Sequence, residues 1–133
     1  MYKCKHFDIE ELVPKSVILQ LGRELAWVVF DDRALQMLDA IRNKFGATFV
    51  NDWQGGGMLD SRGYRPINDT TGGLHSQHRL GNAFDCTFKN HTAAEVRTYI
   101  LAHPDEFPFI TGIEKDVSWL HFDTGNRKRI TVF

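Results

Sequence analysis

The pattern of apolar and polar residues predicts two helices in this chain. After Asp31, apolar residues recur at spacings of three and four, as on the buried face of a helix, at Leu35, Leu38, Ile41 and Phe45. An aspartate can cap the first turn and Gly46 can end the last, so we predict a helix over residues 31–46. The segment Thr92-Ala93-Ala94-Glu95 has the form of a capping box and predicts a second helix that runs to about Ala102.

Shorter runs of β-favouring residues predict four short strands, at 48–50, 83–88, 118–123 and 129–133. The apolar stretch 7–30 is interrupted by Pro14 and Gly22, which favours short helical turns over one long helix. Helices and strands do not alternate strictly along the chain. The sequence therefore predicts one α+β domain over residues 1–133, with a small antiparallel sheet flanked by two or three helices.

The segment between the predicted strands at 48–50 and 83–88 differs from the rest of the chain. Residues 55–83 hold most of the eleven glycines and show little periodicity, so they are expected to form irregular loops. Loops that a rigid scaffold supports are where binding and catalytic groups concentrate. We therefore expect the functional residues in or beside this segment.

Composition and charge exclude several classes of protein. The 133 residues carry 16 basic and 17 acidic side chains, and this net charge of −1 gives no reason to expect binding to nucleic acid. Cys4 and Cys86 show no metal-binding spacing and are expected to be free thiols. The N-terminal residues lack the apolar core of a signal peptide and no apolar run is long enough to span a membrane, so synthesis in the cytoplasm without a leader is expected.

Two of the six histidines have a carboxylate at a suggestive spacing. His78 stands seven residues before Asp85, with small residues between them that let the backbone fold tightly. His121 and Asp123 are two apart on a predicted strand and so share one face. Two histidines and a carboxylate match the ligand set of a catalytic zinc site. Three other histidines are expected to be structural or solvated, namely His6, His91 and His103.

Two segments of the chain form an ordered pattern, Ser76-x-His78-x-x-Gly81-x-Ala83-x-Asp85 followed by Trp119-Leu120-His121-Phe122-Asp123. This pattern resembles the signature of the zinc D-alanyl-D-alanine carboxypeptidase and murein endopeptidase family. Upstream, Ser61-Arg62-Gly63-Tyr64-Arg65-Pro66 is similar to the Gly-Tyr-Arg element of the family. The segments at 51–56 and 7–12 resemble compact phage-encoded members, and the resemblance implies the fold shared with the hedgehog signalling domain.

The resemblance also implies a role for each matching residue. His78, Asp85 and His121 would bind Zn²⁺ as a metal site. Arg65 and Arg62 would hold a substrate carboxylate or carbonyl oxygen, because a guanidinium grips a carboxylate through two parallel hydrogen bonds; the alternative for both arginines is a surface salt bridge. Arg65 is thereby also predicted as a catalytic residue that positions the substrate, and Ser76 would bind substrate as well. We expect His75 to lie either beside the cleft or in a plain loop. We expect Asp123 to orient the strand.

The general base departs from the family pattern. Several branches carry an acidic residue three positions before the last histidine ligand, and this chain has Ser118 there. A serine hydroxyl cannot accept a proton at neutral pH, so Asp116 is the predicted catalytic base, with Glu114 behind it. Some endopeptidase branches also lack this acid and keep a run like His121-Phe122-Asp123-Thr124-Gly125.

The sequence thus leads to a function and two alternatives. The leading hypothesis is a monomeric zinc metallopeptidase that cuts an amide bond in the stem peptide of peptidoglycan. A phage or prophage lysis enzyme, which acts on the cell wall after release or as part of a virion, suits the absence of a leader. The first alternative is a zinc-bearing binding module of the same fold without turnover, and the second is a structural domain without metal.

Overall fold

The computed structural model describes residues 1–133 as a small α+β domain of three helices and a five-stranded sheet. The helices are α1 (Lys15–Leu25), α2 (Asp32–Phe45) and α3 (Ala93–Ala102). The strands are β1 (Thr48–Phe49), β2 (Ala83–Phe88), β3 (Gly112–Ile113), β4 (Leu120–Asp123) and β5 (Thr131–Val132). Short 3₁₀ turns connect several of them.

The sheet is mixed, and the prediction of a wholly antiparallel sheet with four strands is wrong. Its strand order is β1-β2-β4-β3-β5, and the pairing of β3 with β5 is parallel. β3 has two residues, too few for an alternating pattern to reveal it. Because β3 lies between β4 and β5, the last strand pairs with β3 instead of folding back on β4 as a hairpin.

The predicted helix over 31–46 is confirmed as α2. The Asp31 side chain caps it by accepting a hydrogen bond from the Arg33 amide at 3.1 Å, and Gly46 ends it. The predicted break in the 7–30 stretch is also confirmed. Gly22 has a φ of 79° inside α1, so the stretch consists of short pieces on either side of it.

The register between β2 and β4 gives the sheet two chemically different faces. Phe84 pairs with Phe122 and both are fully buried in the hydrophobic core, where Phe30 stacks on Phe84 at 5.2 Å between ring centroids. The neighbouring pair is Asp85 with His121. Because side chains alternate along a strand, this pair points to the opposite face.

Two further expectations concern the cysteines and the membrane. Cys4 and Cys86 are free thiols, as predicted, and Cys86 is buried. None of the helices combines the length and the apolar character that crossing a bilayer requires.

The core pair supports a first prediction. Phe84→Ala should lower the free energy of unfolding by about 3–5 kcal/mol, because it leaves a cavity between the Phe30 and Phe122 rings. Phe49→Ala is the matched control, since that ring is 48% exposed, and it should cost less than about 1 kcal/mol. Urea unfolding in the presence of a metal chelator measures both. Equal losses in the two variants would contradict the packing described here.

Candidate metal centre

A short 3₁₀ turn over Gln77–Leu80 positions His78. The Ser76 hydroxyl caps it by accepting a hydrogen bond from the His78 amide at 3.3 Å. Gly81 ends it with a φ of 71°, and a Cβ atom there would lie 1.9 Å from the Val29 carbonyl oxygen. Only glycine fits this position, so the turn sits directly against the segment before α2 and leads into β2.

The ring of His78 is oriented by the backbone of Gly63. Its Nδ1–H donates to the Gly63 carbonyl oxygen at 2.9 Å, so Nε2 is the ring nitrogen that faces Asp85. A Cβ atom at Gly63 would meet the Leu12 carbonyl oxygen at 2.0 Å. Because glycine permits this close approach to Leu12, the carbonyl oxygen of Gly63 itself lies within reach of His78. Hydrogen bonds of this kind to the distal nitrogen orient metal-binding histidines.

His78, Asp85 and His121 form a buried cluster. Asp85 Oδ1 lies 3.2 Å from His78 Nε2 and 2.8 Å from His121 Nδ1. One ligand atom from each residue lies within 4.8 Å of the other two. The structure therefore brings together the three residues predicted as ligands, and the group could hold a metal ion.

Asp123 fixes the second histidine. His121 Nε2–H donates to Asp123 Oδ2 at 3.1 Å, which directs Nδ1 toward Asp85. Asp123 is fully buried and also lies 3.4 Å from Arg127 Nε, so its charge is compensated. This contact orients the His121 ring, whereas the sequence led us to expect that Asp123 would orient the strand.

The cluster has strongly shifted protonation equilibria. Burial alone would raise the pKa of Asp85, but hydrogen bonds from His121 and His78 hold it well below its ordinary value. Burial alone would lower the pKa of His121, but Asp123 and Asp85 raise it to about 9. The two carboxylates thus favour the protonated form of His121. A divalent cation bound by the group would compete with this proton.

Arg65 supports the cluster from the outer side. Its Nη2 lies 3.4 Å from Asp85 Oδ2, and its Nε–H donates to the Ser61 carbonyl oxygen at 2.7 Å. The side chain is only 11% exposed. Arg65 therefore orients the outer oxygen of Asp85, a contact that the sequence did not predict.

A cleft of about 280 Å³ opens beside Asp85. Its walls are Met58, Leu59, Asp60, Ser61, Arg62, Arg65, Thr71, Asp85 and Trp119. The Arg62 guanidinium makes no hydrogen bond or ion pair within the chain, whereas its backbone carbonyl oxygen accepts a hydrogen bond from the Asp85 amide at 2.8 Å. Of the two predicted substrate-binding arginines, Arg62 is thus the one whose guanidinium is available to bind a ligand.

Other predicted residues lie outside this cleft. Asp116 is exposed in the bend before β4, has a φ of 62° and makes no side-chain hydrogen bond. Ser118 is exposed in the same bend, and Glu114 is half-buried just after β3. The Ser76 hydroxyl is engaged in the cap beneath His78, and His75 is exposed in the loop before it. The catalytic role of Asp116 and the substrate contact of Ser76 stay predictions.

Sequence reasoning missed two kinds of contributor. Gly63 acts through its carbonyl oxygen, which no side-chain pattern reveals. Asp60 and Trp119 line the cleft. Trp119 could have been predicted, because it stands two residues before His121. Alternate side chains of a strand point to the same face, so Trp119 is expected on the face of His121. Asp60 lies in the aperiodic loop, where the sequence carries no such signal.

Comparison with known proteins adds no family to this description. No family model, curated protein or solved structure matches the chain. The resemblance to the zinc peptidase family rests on the short motifs around Arg65, His78, Asp85 and His121.

Proposed function

We propose that this chain is a zinc-dependent peptidase that hydrolyses an amide bond in the peptide part of peptidoglycan. One observation carries the proposal. The buried group of His78, Asp85 and His121 opens through Asp85 onto a cleft that Arg62 and Arg65 line. A metal group of this kind beside cationic side chains is suited to a peptide that carries carboxylates.

The donor set fits zinc. Zinc in proteins is bound by imidazole nitrogen and carboxylate oxygen at about 2.0–2.2 Å, so neighbouring tetrahedral ligands lie roughly 3.3 Å apart. The distances from Asp85 Oδ1 to His78 Nε2 and to His121 Nδ1, 3.2 and 2.8 Å, are close to this separation. Three protein ligands are the number that catalytic zinc sites use, with a fourth position for water or substrate.

The chain's own residues would prepare this centre for hydrolysis. Zinc, when bound, would polarise the scissile carbonyl and lower the pKa of a water molecule. Gly63 and Asp123 hold the two imidazole rings through their distal nitrogens. Arg65 holds the outer oxygen of Asp85, so that the carboxylate presents Oδ1 to both histidines. Asp116 is retained as the proposed base, which would have to reach the cleft by movement of its exposed bend.

Arg62 is the proposed anchor for the substrate. Arg62 lines the cleft, and its guanidinium, which makes no hydrogen bond or ion pair within the chain, can bind a carboxylate or a carbonyl oxygen. Stem peptides of peptidoglycan are rich in carboxylates. Because the net charge of the chain is −1, affinity for an anionic wall polymer must come from the cleft itself.

The proposal also covers the family and the fold type of the chain. The signature around His78 and His121 supports a compact phage-type member of the carboxypeptidase and endopeptidase family, with the hedgehog-like fold. Such a monomeric enzyme would be made in the cytoplasm and act on the wall after release or from a virion.

A second candidate function is a zinc-bearing binding module of the same fold without turnover. It is favoured by the position of the acidic residues. Ser118 replaces the usual acid, and Asp116 does not line the cleft. A module of this kind would bind zinc and stem peptide and leave the peptide intact.

The metal assignment predicts the effect of removing one ligand. Loss of an outer hydrogen-bond partner already costs about 10–100-fold in metal affinity, so His78→Ala should cost more than about 100-fold. His75→Ala is the control, because His75 is exposed in the preceding loop. Elemental analysis and zinc titration of both purified variants measure the effect. Undiminished zinc binding by His78→Ala would exclude this group as the metal site.

The peptidase assignment predicts new amino termini from cell-wall fragments. Zinc-loaded protein should release them, chelation should abolish the release, and added zinc should restore it. Labelling of free amines followed by mass spectrometry identifies the bond that is cut. Zinc-dependent binding to the fragments without any release would refute the peptidase and support the binding module.

A further inference from the structure

The ring of His121 packs against two other rings. The centroid of the His78 ring lies 5.2 Å away and that of the Phe133 ring 5.6 Å away, and both contacts are edge to face. His78 belongs to the metal group, whereas Phe133 lies directly after β5. Edge-to-face pairing is a favourable and directional contact between aromatic rings. Phe133 therefore limits the orientations that the His121 ring can adopt.

The register of the sheet places Phe133 on the same face as His121. Gly112 in β3 pairs with Asp123 of β4 on one side and with Thr131 of β5 on the other. β4 runs antiparallel to β3 and β5 runs parallel to it, so the row two residues further along β3 contains His121 and Phe133. Side chains two residues apart on a strand point to the same face. The contact between the two rings is thus a consequence of the insertion of β3 between β4 and β5.

Arg127 joins Phe133 to the carboxylate that holds His121. Its guanidinium carbon lies 4.3 Å from the centroid of the Phe133 ring, and its Nε lies 3.4 Å from Asp123 Oδ1. The other oxygen of Asp123 accepts the hydrogen bond from His121. A guanidinium over an aromatic ring is attracted by the negative potential of the ring face. Asp123, Arg127 and Phe133 thus form a closed set of contacts around the His121 ring, which we call the clamp.

Gly112 leaves room for the clamp. A Cβ atom at this position would lie 2.6 Å from Asp123 Oδ1, closer than such atoms can pack. The Asp123 carboxylate therefore occupies the space over β3 that a side chain at residue 112 would take. From there it can face His121 with one oxygen and Arg127 with the other.

We propose that Phe133 and Arg127 are positioning residues of the metal centre, which hold the His121 ring so that Nδ1 faces the ion. Neither side chain is a ligand, and both act through His121 and Asp123. An imidazole can otherwise turn about its bond to Cβ, and a ring that is held before the ion arrives binds it more tightly. The inference rests on the proposed function, because it concerns the zinc that the three ligands would bind, but it does not depend on hydrolysis.

Zinc affinity and the spectrum of bound cobalt test the proposal. Competition of the full chain with a chromophoric chelator, at one fixed pH, gives the Zn²⁺ dissociation constants. Co²⁺ then replaces Zn²⁺, because its visible absorption reports the geometry of its ligands, which a change in stability alone does not alter. Urea unfolding in the presence of a metal chelator ensures that all variants are compared in the folded state.

The Phe133 ring is tested with three substitutions and one control. Phe133→Ala should weaken Zn²⁺ binding about tenfold and change the Co²⁺ spectrum, because the His121 ring gains freedom. Phe133→Tyr should bind like the wild type, since it keeps the ring, and the 40% exposure of Phe133 leaves space for a hydroxyl. Phe133→Leu keeps apolar bulk without a ring face and should lie between the two, which provides an answer even if Phe133→Ala does not fold. Phe109→Ala is the matched control, because that ring is 38% exposed and does not pack on His121.

Arg127 is tested with a substitution that keeps its charge. Arg127→Lys removes the planar guanidinium that stacks on Phe133 and should weaken Zn²⁺ binding about threefold. In the Phe133→Ala background the same change should have no further effect, because the ring face is already gone. Independent losses that multiply in the double variant would contradict the clamp.

Three other results would overturn the inference. The first is wild-type zinc affinity with an unchanged Co²⁺ spectrum in Phe133→Ala. The second is an equal loss in Phe133→Ala and Phe109→Ala, which would indicate a general loosening of the domain. The third is binding by Phe133→Tyr that is as weak as binding by Phe133→Leu. All of these leave the proposed function standing, because the wild-type chain still binds zinc, whereas a wild-type chain that binds no zinc refutes the metal assignment itself.

Discussion

The antiparallel register between β2 and β4 holds both the core and the candidate site in place. It sets Phe84 opposite Phe122 on one face and Asp85 opposite His121 on the other. A shift by one residue would exchange the two faces, placing charged groups in the core and aromatic rings at the cleft. The packing of Phe30, Phe84 and Phe122 therefore also protects the geometry of the Asp85–His121 pair.

The third member of the cluster depends on a different kind of constraint. His78 comes from a 3₁₀ turn and not from the sheet, so its position relies on close backbone contacts. Gly81 lets the turn approach Val29, and Gly63 lets a carbonyl oxygen approach the His78 ring. Asp123 gives His121 the equivalent support from within β4. Both imidazole rings are thus held by their distal nitrogens before any ion arrives, which reduces the reorganisation that binding needs.

The sequence predicted the longer regular elements and the three candidate ligands, but it did not predict the cleft. α2 and β2 have apolar patterns and boundary residues of their own, and the structure places them as predicted. β3 was not predicted, because a strand of two residues is too short to show an alternating pattern. Without β3, its parallel pairing with β5 could not be predicted either. The contact between Arg65 and Asp85 joins residues 20 positions apart through an aperiodic loop. Such contacts depend on tertiary packing, and local propensity says nothing about them.

Diffraction from crystals of the zinc-loaded protein, with data collected on both sides of the zinc absorption edge, tests the central claim most directly. The account predicts a single strong anomalous peak among His78 Nε2, Asp85 Oδ1 and His121 Nδ1, at about 2.0–2.2 Å from each. A peak elsewhere, or none at this group in fully zinc-loaded protein, would contradict the account.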